Sequence, residues 1–284
     1  MWGGVSFPYR GWDPKQKWAQ PQLLWDRTTQ TALLMFGNIT LGPGGSDGLE
    51  HEHGFLQISS TDRGVTWGGF TDVQGTLQPS CANSTAPTSG VGLQLATGPH
   101  AGRLLFIGPH NAYHGDVVLR SDDGGKSYKC TMDLHKPGMD EGSIAQLQNG
   151  SVMAILRNNL TPKNGGGGRF QYALSHDGGE TFGEIRRHPD LVTPTCEASL
   201  LSYNGSLLFS GPYSTIGRRN LTVLASDDNG ASFTRSLQLL PADMYAGYTS
   251  LQCGLREAQD CVLVYEDDTT HSVTLLKFAS ADIE

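Results

Sequence analysis

Three segments of this 284-residue chain open on a side chain able to do chemistry and then continue alike: Glu141-Gly-Ser-Ile, Glu197-Ala-Ser-Leu and Tyr248-Thr-Ser-Leu. Carboxyls and phenols are groups that proton transfer and covalent catalysis draw on. Taken singly, each residue has a plainer meaning. Tyr248 alone reads as a half-buried strand tyrosine, and Arg157 or Arg218 alone as the solvated end of a strand. His51-x-His53 puts two rings on one strand face, as a metal pair requires, but no third ligand is apparent. The Gly165–Gly168 run lacks the Lys-Ser/Thr that follows a phosphate loop and reads as a rim loop.

The elements that must position these residues are marked by a repeated turn. Ser60-Thr61-Asp62-Arg63-Gly64-Val65-Thr66-Trp67 returns as Ser121 to Tyr128, Ser175 to Phe182 and Ser226 to Phe233. The shared pattern is Ser-x-Asp-x-Gly-x-(Ser/Thr)-aromatic. An aspartate accepts hydrogen bonds from amides just downstream, and glycine supplies the left-handed residue of a tight turn. The aromatic then packs inward as an anchor. Each copy follows an extended apolar run, so each reads as a hairpin tip. The opening serines lie 61, 54 and 51 residues apart, the spacing of a repeated four-stranded sheet. Each unit therefore reads strand, turn, strand, loop, strand, Asp-containing hairpin, strand.

Radial repetition of such sheets predicts an all-β fold, a β-propeller with about five visible units. A two-sheet sandwich is the rival, but it does not explain one turn motif per unit. Residues 1–19 read as a loop or remnant, and 20–284 as the propeller domain. First strands line the axis of a propeller, so Glu141, Glu197 and Tyr248 are expected at one mouth of its channel. Asp62, Asp123, Asp177 and Asp228 are assigned to structure.

Composition narrows the partners. A net charge of −8 argues against nucleic acid or an anionic membrane surface. No apolar run approaches the roughly 20 residues of a bilayer span, and no signal peptide opens the chain. The five cysteines are too few for a disulfide scaffold; Cys253 and Cys261 flank a short hairpin and either pair or stay reduced. Six of ten asparagines (Asn38, Asn83, Asn149, Asn159, Asn204 and Asn220) stand in glycosylation sequons, which leans towards a secretory, lysosomal or extracellular history. Turn chemistry alone explains the Asn-Gly-Ser pairs at Asn149 and Asn204 equally well.

From about Gln20 onward the chain resembles the sialidase (neuraminidase) family. The sharpest matches are Asp140-Glu141 followed by Gln148-Asn-Gly-Ser-Val-Met-Ala-Ile-Leu-Arg157; Leu208-Phe-Ser-Gly-Pro212 with Arg218-Arg-Asn-Leu-Thr; Gly247-Tyr248-Thr-Ser-Leu; and Val264-Tyr-Glu266. The resemblance implies a six-bladed Asp-box propeller, of which an N-terminal blade is expected to be missing here. It implies retaining removal of terminal α-linked sialic acid from glycoproteins, gangliosides or oligosaccharides, with no metal or cofactor. Tyr248 would be the nucleophile and Glu141 its base. A neutral phenol approaches a carbon bearing a carboxylate more readily than an anion does. Arg157 and Arg218 would bind the substrate carboxylate and lower the phenol pKa. Glu197 would lie near the sugar's acyl group. The family's Arg-Ile-Pro segment and its acid/base aspartate are not recognisable, Arg10 being a poor match; Asp47, Glu50 and Glu52 lie in a Gly-rich loop without an assigned role. The alternative is a non-catalytic propeller, either sialoglycan-binding or structural.

Overall fold

The computed structural model describes residues 16–41, 49–81, 86–110, 115–160, 168–254, 259–267, 269–270 and 272–284, with side chains at 16–19, 38–41 and 49–53 left aside. These residues form five antiparallel sheets. Sheet 1 comprises β1 (Gln16–Asp26), β2 (Thr31–Leu41), β3 (Leu49–Ser60) and β4 (Gly68–Asp72), plus β5 (Gly90–Val91) laid parallel against β1. Sheet 2 runs β6 (Leu93–Gln94), β7 (Leu104–Pro109), β8 (Asp116–Ser121) and β9 (Lys129–Thr131). Sheet 3 runs β10 (Met139–Gln146), β11 (Val152–Asn158), β12 (Arg169–Ser175) and β13 (Arg186–Val192). Sheet 4 runs β14 (Ser199–Tyr203), β15 (Ser206–Pro212), β16 (Leu221–Ser226) and β17 (Arg235–Gln238). Sheet 5 has three strands, β18 (Thr249–Cys253), β19 (Asp260–Asp267) and β20 (Ser272–Ala279).

Apart from β5, which lies against β1, the strand order inside each sheet follows the chain, and the inner strands neighbour one another in a ring, β18 lying beside β5. This is the expected propeller arrangement. One detail differs from the sequence reading: the first strand begins at Gln16, ahead of Gln20. Val91 belongs to sheet 1, because β5 pairs with Leu23 and only β6 joins β7.

Alternation along each strand explains the packing. In β7, Leu104 and Phe106 face sheet 1 with Leu24, Leu33, Met35 and Phe55, whereas Leu105 and Ile107 face sheet 3 with Ile144, Ala154 and Leu156. A strand buried on both faces reads as a continuous apolar run, which is why Leu104–Ile107 carries no polar residue. The remaining interfaces repeat the scheme: Met153, Ile155 and Phe170 meet Leu200 and Phe209, and Leu208 and Val223 meet Leu251 and Leu263. Hydroxyls stitch the inner ring: Ser143 Oγ accepts from the Leu200 amide at 3.0 Å and Ser199 Oγ from the Leu251 amide at 3.3 Å.

All four repeated turns share one hydrogen-bond set. In the second, Ser121 Oγ donates to Asp123 Oδ1 at 2.8 Å and accepts from the Gly125 amide at 2.8 Å, while Ser127 Oγ donates to Asp123 Oδ2 at 2.6 Å. The third and fourth turns match it through Asp177 and Asp228. Tyr128 and Phe182 are buried against the inter-sheet cores, Phe233 is partly so, and Trp67 donates Nε1–H to Gly64 O at 3.1 Å. Arg103, 4 % exposed, clasps sheets 2 and 3 by pairing with Asp122 at 2.7 Å and Glu180 at 3.0 Å.

Cys253 pairs with Cys261 across β18 and β19, and Cys81 with Cys130, leaving Cys196 buried and unpaired. Asn149 and Asn204 both serve turns: Asn149 Oδ1 accepts from the Ser151 amide at 3.0 Å, and Asn204 is left-handed at φ 49°. Among the described residues no helix is long and apolar enough to cross a membrane.

Candidate functional site

The strand starts that share a sequence pattern also share an end of the fold, opposite the Asp-containing turns. At that end β10 carries a bulge: Asp140 pairs with Arg157 of β11, and the register shifts before Ser143 resumes it opposite Ile155. Glu141 sits in the bulge with φ 44°, a left-handed backbone that a side-chain-bearing residue adopts at a cost. A bulge re-aims one side chain without ending the ladder. Here it turns Glu141 to the channel mouth while Asp140 keeps its cross-strand partner.

The pairings follow from that geometry. Arg157 donates Nε to Asp140 Oδ1 at 2.7 Å and Nη2 to Asp140 Oδ2 at 3.1 Å, a bidentate fork. Its Nη1 reaches the Tyr248 hydroxyl at 2.9 Å and pairs with Glu141. Tyr248 in turn donates its O–H to Glu141 Oε1 at 2.5 Å. Asn159 Nδ2 also donates to Asp140. Arg218, from the loop before β16, stacks its guanidinium over the Tyr248 ring at 5.2 Å from the centroid and donates to Thr195 O at 3.2 Å. The structure thus brings Glu141, Tyr248, Arg157 and Arg218 together, although 107 residues separate the first two.

Glu197 lies beside this group, 1 % exposed, with Oε2 accepting from the Thr249 amide at 3.0 Å. It therefore grips the backbone of the residue that follows Tyr248. Tyr248's own carbonyl accepts from the Glu266 amide at 3.1 Å, so the phenol is fixed on both sides of its strand start.

Burial governs the protonation states. It pushes the Glu141 carboxyl up to about 7, with the Asp140 charge adding to the rise and Arg157 and the Tyr248 hydroxyl opposing it. Burial likewise raises Glu197 well above the carboxylate range, helped by Glu141 and Glu266 and opposed by the Thr249 amide. Tyr248 moves up as well, through burial first and the Glu141 charge second; Arg157 and Arg218 pull the other way and lose. This corrects the expectation that the arginines lower the phenol pKa: a half-enclosed phenol facing a carboxylate holds its proton until something draws it off. Arg157 is buried too, yet the Asp140 fork and Glu141 keep it firmly cationic.

Several sequence candidates do not join the group. Asp47 and Arg10 lie outside the described residues, as do the side chains of Glu50, His51, Glu52 and His53 and most of the Gly165–Gly168 run. Among the described residues no cluster of three or more His, Cys, Asp or Glu suits a metal. Conversely, the sequence pattern by itself gives Asp140 no role beyond its place before Glu141. Its role as the second anchor of Arg157 was legible in principle, since both bracket a hairpin with Asn149-Gly150 at its tip. The bulge that frees Glu141 from that alternation has no sequence signal beyond Gly142.

The BNR repeat-like domain family matches residues 10–255. The chain is 32 % identical to a sialidase of Micromonospora viridifaciens over 69 % of its own length and 32 % of that protein. It is 25 % identical to a sialidase of Bacteroides fragilis over 78 % of its length and 41 % of that protein. It thus spans well under half the length of these relatives. Among solved structures, the Hadza microbial sialidase Hz136 superposes with a TM-score of 0.76 at 21 % identity, over 95 % of this chain and 54 % of that one. A leech intramolecular trans-sialidase, complexed with 2,7-anhydro-Neu5Ac, gives 0.76 at 16 % identity, over 94 % and 57 %. Likeness at these identities speaks for the fold.

Proposed function

We propose, from the premise that this chain belongs to the sialidase family of BNR-repeat β-propellers, that it is an exo-α-sialidase-like retaining glycoside hydrolase acting on sialylated glycans. The observation that carries the reading is the hydrogen bond from Tyr248 to Glu141, held by Arg157 and covered by Arg218. In this reading the Tyr248 oxygen bonds to the anomeric carbon as the glycosidic C–O bond breaks, and Glu141 takes the phenolic proton. Water then releases the sugar from tyrosine by the reverse proton path. The departing oxygen takes its proton from solvent, and the water that releases the sugar gives one back, so each turnover balances.

The raised phenol and the raised Glu141 fit this division of labour. At rest the phenolic proton stays on the Tyr248 oxygen, so the working couple carries one negative charge, on Glu141, with Arg157 and Arg218 beside it to receive an anionic sugar. The substrate carboxylate meets Arg218 first, because the Arg157 donors are engaged with Asp140, Glu141 and Tyr248. Arg157 joins by exchanging the latter two for substrate. Glu197 fits better as a brace on Thr249 than as a contact to the acyl group, since its carboxyl is enclosed.

A second reading, sialoglycan binding without cleavage, follows from the two family elements that are not recognisable in the sequence, the Arg-Ile-Pro segment and the acid/base aspartate. Hydrolysis of a fluorogenic α-sialoside by wild type and Tyr248→Phe separates the two. Turnover by wild type that the variant loses supports hydrolysis; binding with no turnover supports the second reading. Equal rates remove Tyr248 from the mechanism.

A further inference from the structure

The reaction above makes no use of Asp116, the carboxyl that is entirely buried without a hydrogen-bond partner for either oxygen among the described residues. Asp116 opens β8, pairs with Pro109 of β7, and donates its amide to Leu134 O at 3.2 Å. Its side chain enters the space between sheets 2 and 3, directly behind the Glu141 bulge. A Cβ placed on Gly142 would lie 2.7 Å from Asp116 Oδ2, 2.6 Å from Ile107 Cδ1 and 2.9 Å from Ile155 O. Gly142 is bare because this carboxyl and its neighbours occupy the room.

The surrounding charges decide which form Asp116 takes. β10 presents Asp140 and Glu141, and β11 presents Arg157. At the end of β7 stands His110, whose buried ring nitrogens have no partner among the described residues, and the loop before β10 carries Lys136 and His135, the latter packed edge-on against His110 at 4.9 Å. Glu141 has a phenol O–H and a guanidinium to hold its charge, whereas neither Asp116 oxygen is within hydrogen-bond distance of a donor among the described residues, and only the nearby Gly142 amide and the Arg157 charge favour its ionised form. With Asp140 and Glu141 ionised, Arg157 and Arg218 balance them. Arg157 is already shared between Asp140 and Glu141, so a third carboxylate would lie buried beside two others with no ion-pair partner of its own among the described residues. The unpaired acid therefore keeps the proton, and burial followed by Asp140 and Glu141 pushes it the same way.

We propose that Asp116 is a proton-holding positioning residue: neutral, it backs the Glu141–Gly142 bulge, and on losing its proton at higher pH it adds a third negative charge beside Arg157 and loosens the Tyr248–Glu141 couple. Asp116 thereby sets the upper pH limit of the site. The functional half of this inference rests on the sialidase reading; the protonation half does not.

Infrared spectroscopy of wild type labelled with [4-13C]aspartate tests the protonation half. A protonated carboxylic-acid C=O band at neutral pH, moved by the label, is expected, and its absence overturns the proposal. The pH profile of α-sialoside hydrolysis tests the rest. Asp116→Asn, neutral and isosteric, should keep acid-side kcat/KM within about threefold and carry the alkaline limb upward by at least about one pH unit. A merely space-filling Asp116 would leave that limb where it was, and this outcome overturns the gate. Wild type without turnover would defeat the sialidase reading while leaving the infrared result decisive for Asp116. That spectrum needs no variant, so a misfolded Asp116→Asn does not rescue the idea.

Discussion

The two ends of the sheets use the same residue, aspartate, to opposite effect. At the turn end each carboxylate is met by amides and a hydroxyl, and Asp62, Asp177 and Asp228 sit at about 2, the Thr66 and Ser232 hydroxyls leading for the first and last and hydrogen bonds outweighing burial at Asp177. At the mouth Glu141 is driven up to about 7 and Asp116 higher than the carboxylate range, burial leading in both. Donors that converge on a carboxyl fix its charge and stabilise the fold; burial with too few donors leaves a proton to be moved. Four near-identical turns do the first task. A single bulge, where groups from four sheets converge, does the second.

If the comparison holds, substitutions at the mouth should cost activity and those at the turns stability. Tyr248→Phe should lower kcat on an α-sialoside by on the order of 10^3-fold or more, read by steady-state kinetics with thermal unfolding little changed. Arg157→Lys keeps the charge but loses the fork to Asp140, so kcat/KM should fall by roughly 10^2-fold. A fall below about threefold would mean that the fork only packs. The Glu141 position also predicts a pH limb. In the proposed mechanism Glu141 has to be ionised to take the phenolic proton, so kcat/KM should decline as pH falls through about 7. The same raised carboxyl favours the folded state, in full only below the ordinary carboxylate pKa of 4.5, and this stabilisation is lost progressively from there as pH rises through about 7.

At the other end, Asp177→Ala removes the acceptor for Ser175, Glu180 and Thr181. It should cost about 1–3 kcal/mol of stability, read as a lower Tm, with rates at low temperature unchanged. The stabilisation from Asp62, Asp177 and Asp228 is present above the ordinary carboxylate pKa and lost as pH falls to about 2. A turn variant that halved activity without moving Tm would blur the division.

How much of this was legible beforehand follows from where the information resides. The turns are local: Ser, Asp, Gly and an aromatic within eight residues specify their own hydrogen bonds, so the sheets and their order could be read from spacing. Tyr248, Glu141, Arg157 and Arg218 were legible through repetition and resemblance, because equivalent positions of radial units must share an end. Asp116 was not. It looks like an ordinary strand start, and its meaning comes from Gly142 on the next sheet. The split of the second unit's inner strand at Gly92 was likewise hidden, since β5 leaves its own sheet to pair with Leu23. The phenol's raised pKa was missed because residue types announce nearby arginines but not the depth of enclosure that outweighs them.

Trapping the covalent intermediate tests the central claim most directly. A 2,3-difluoro sialic acid, whose C3 fluorine slows release while the C2 fluoride departs, should leave one fluorosialosyl group on the peptide containing Tyr248, seen by mass spectrometry and absent from Tyr248→Phe. Turnover of an α-sialoside with no adduct on Tyr248, or with the adduct on another residue, would contradict it.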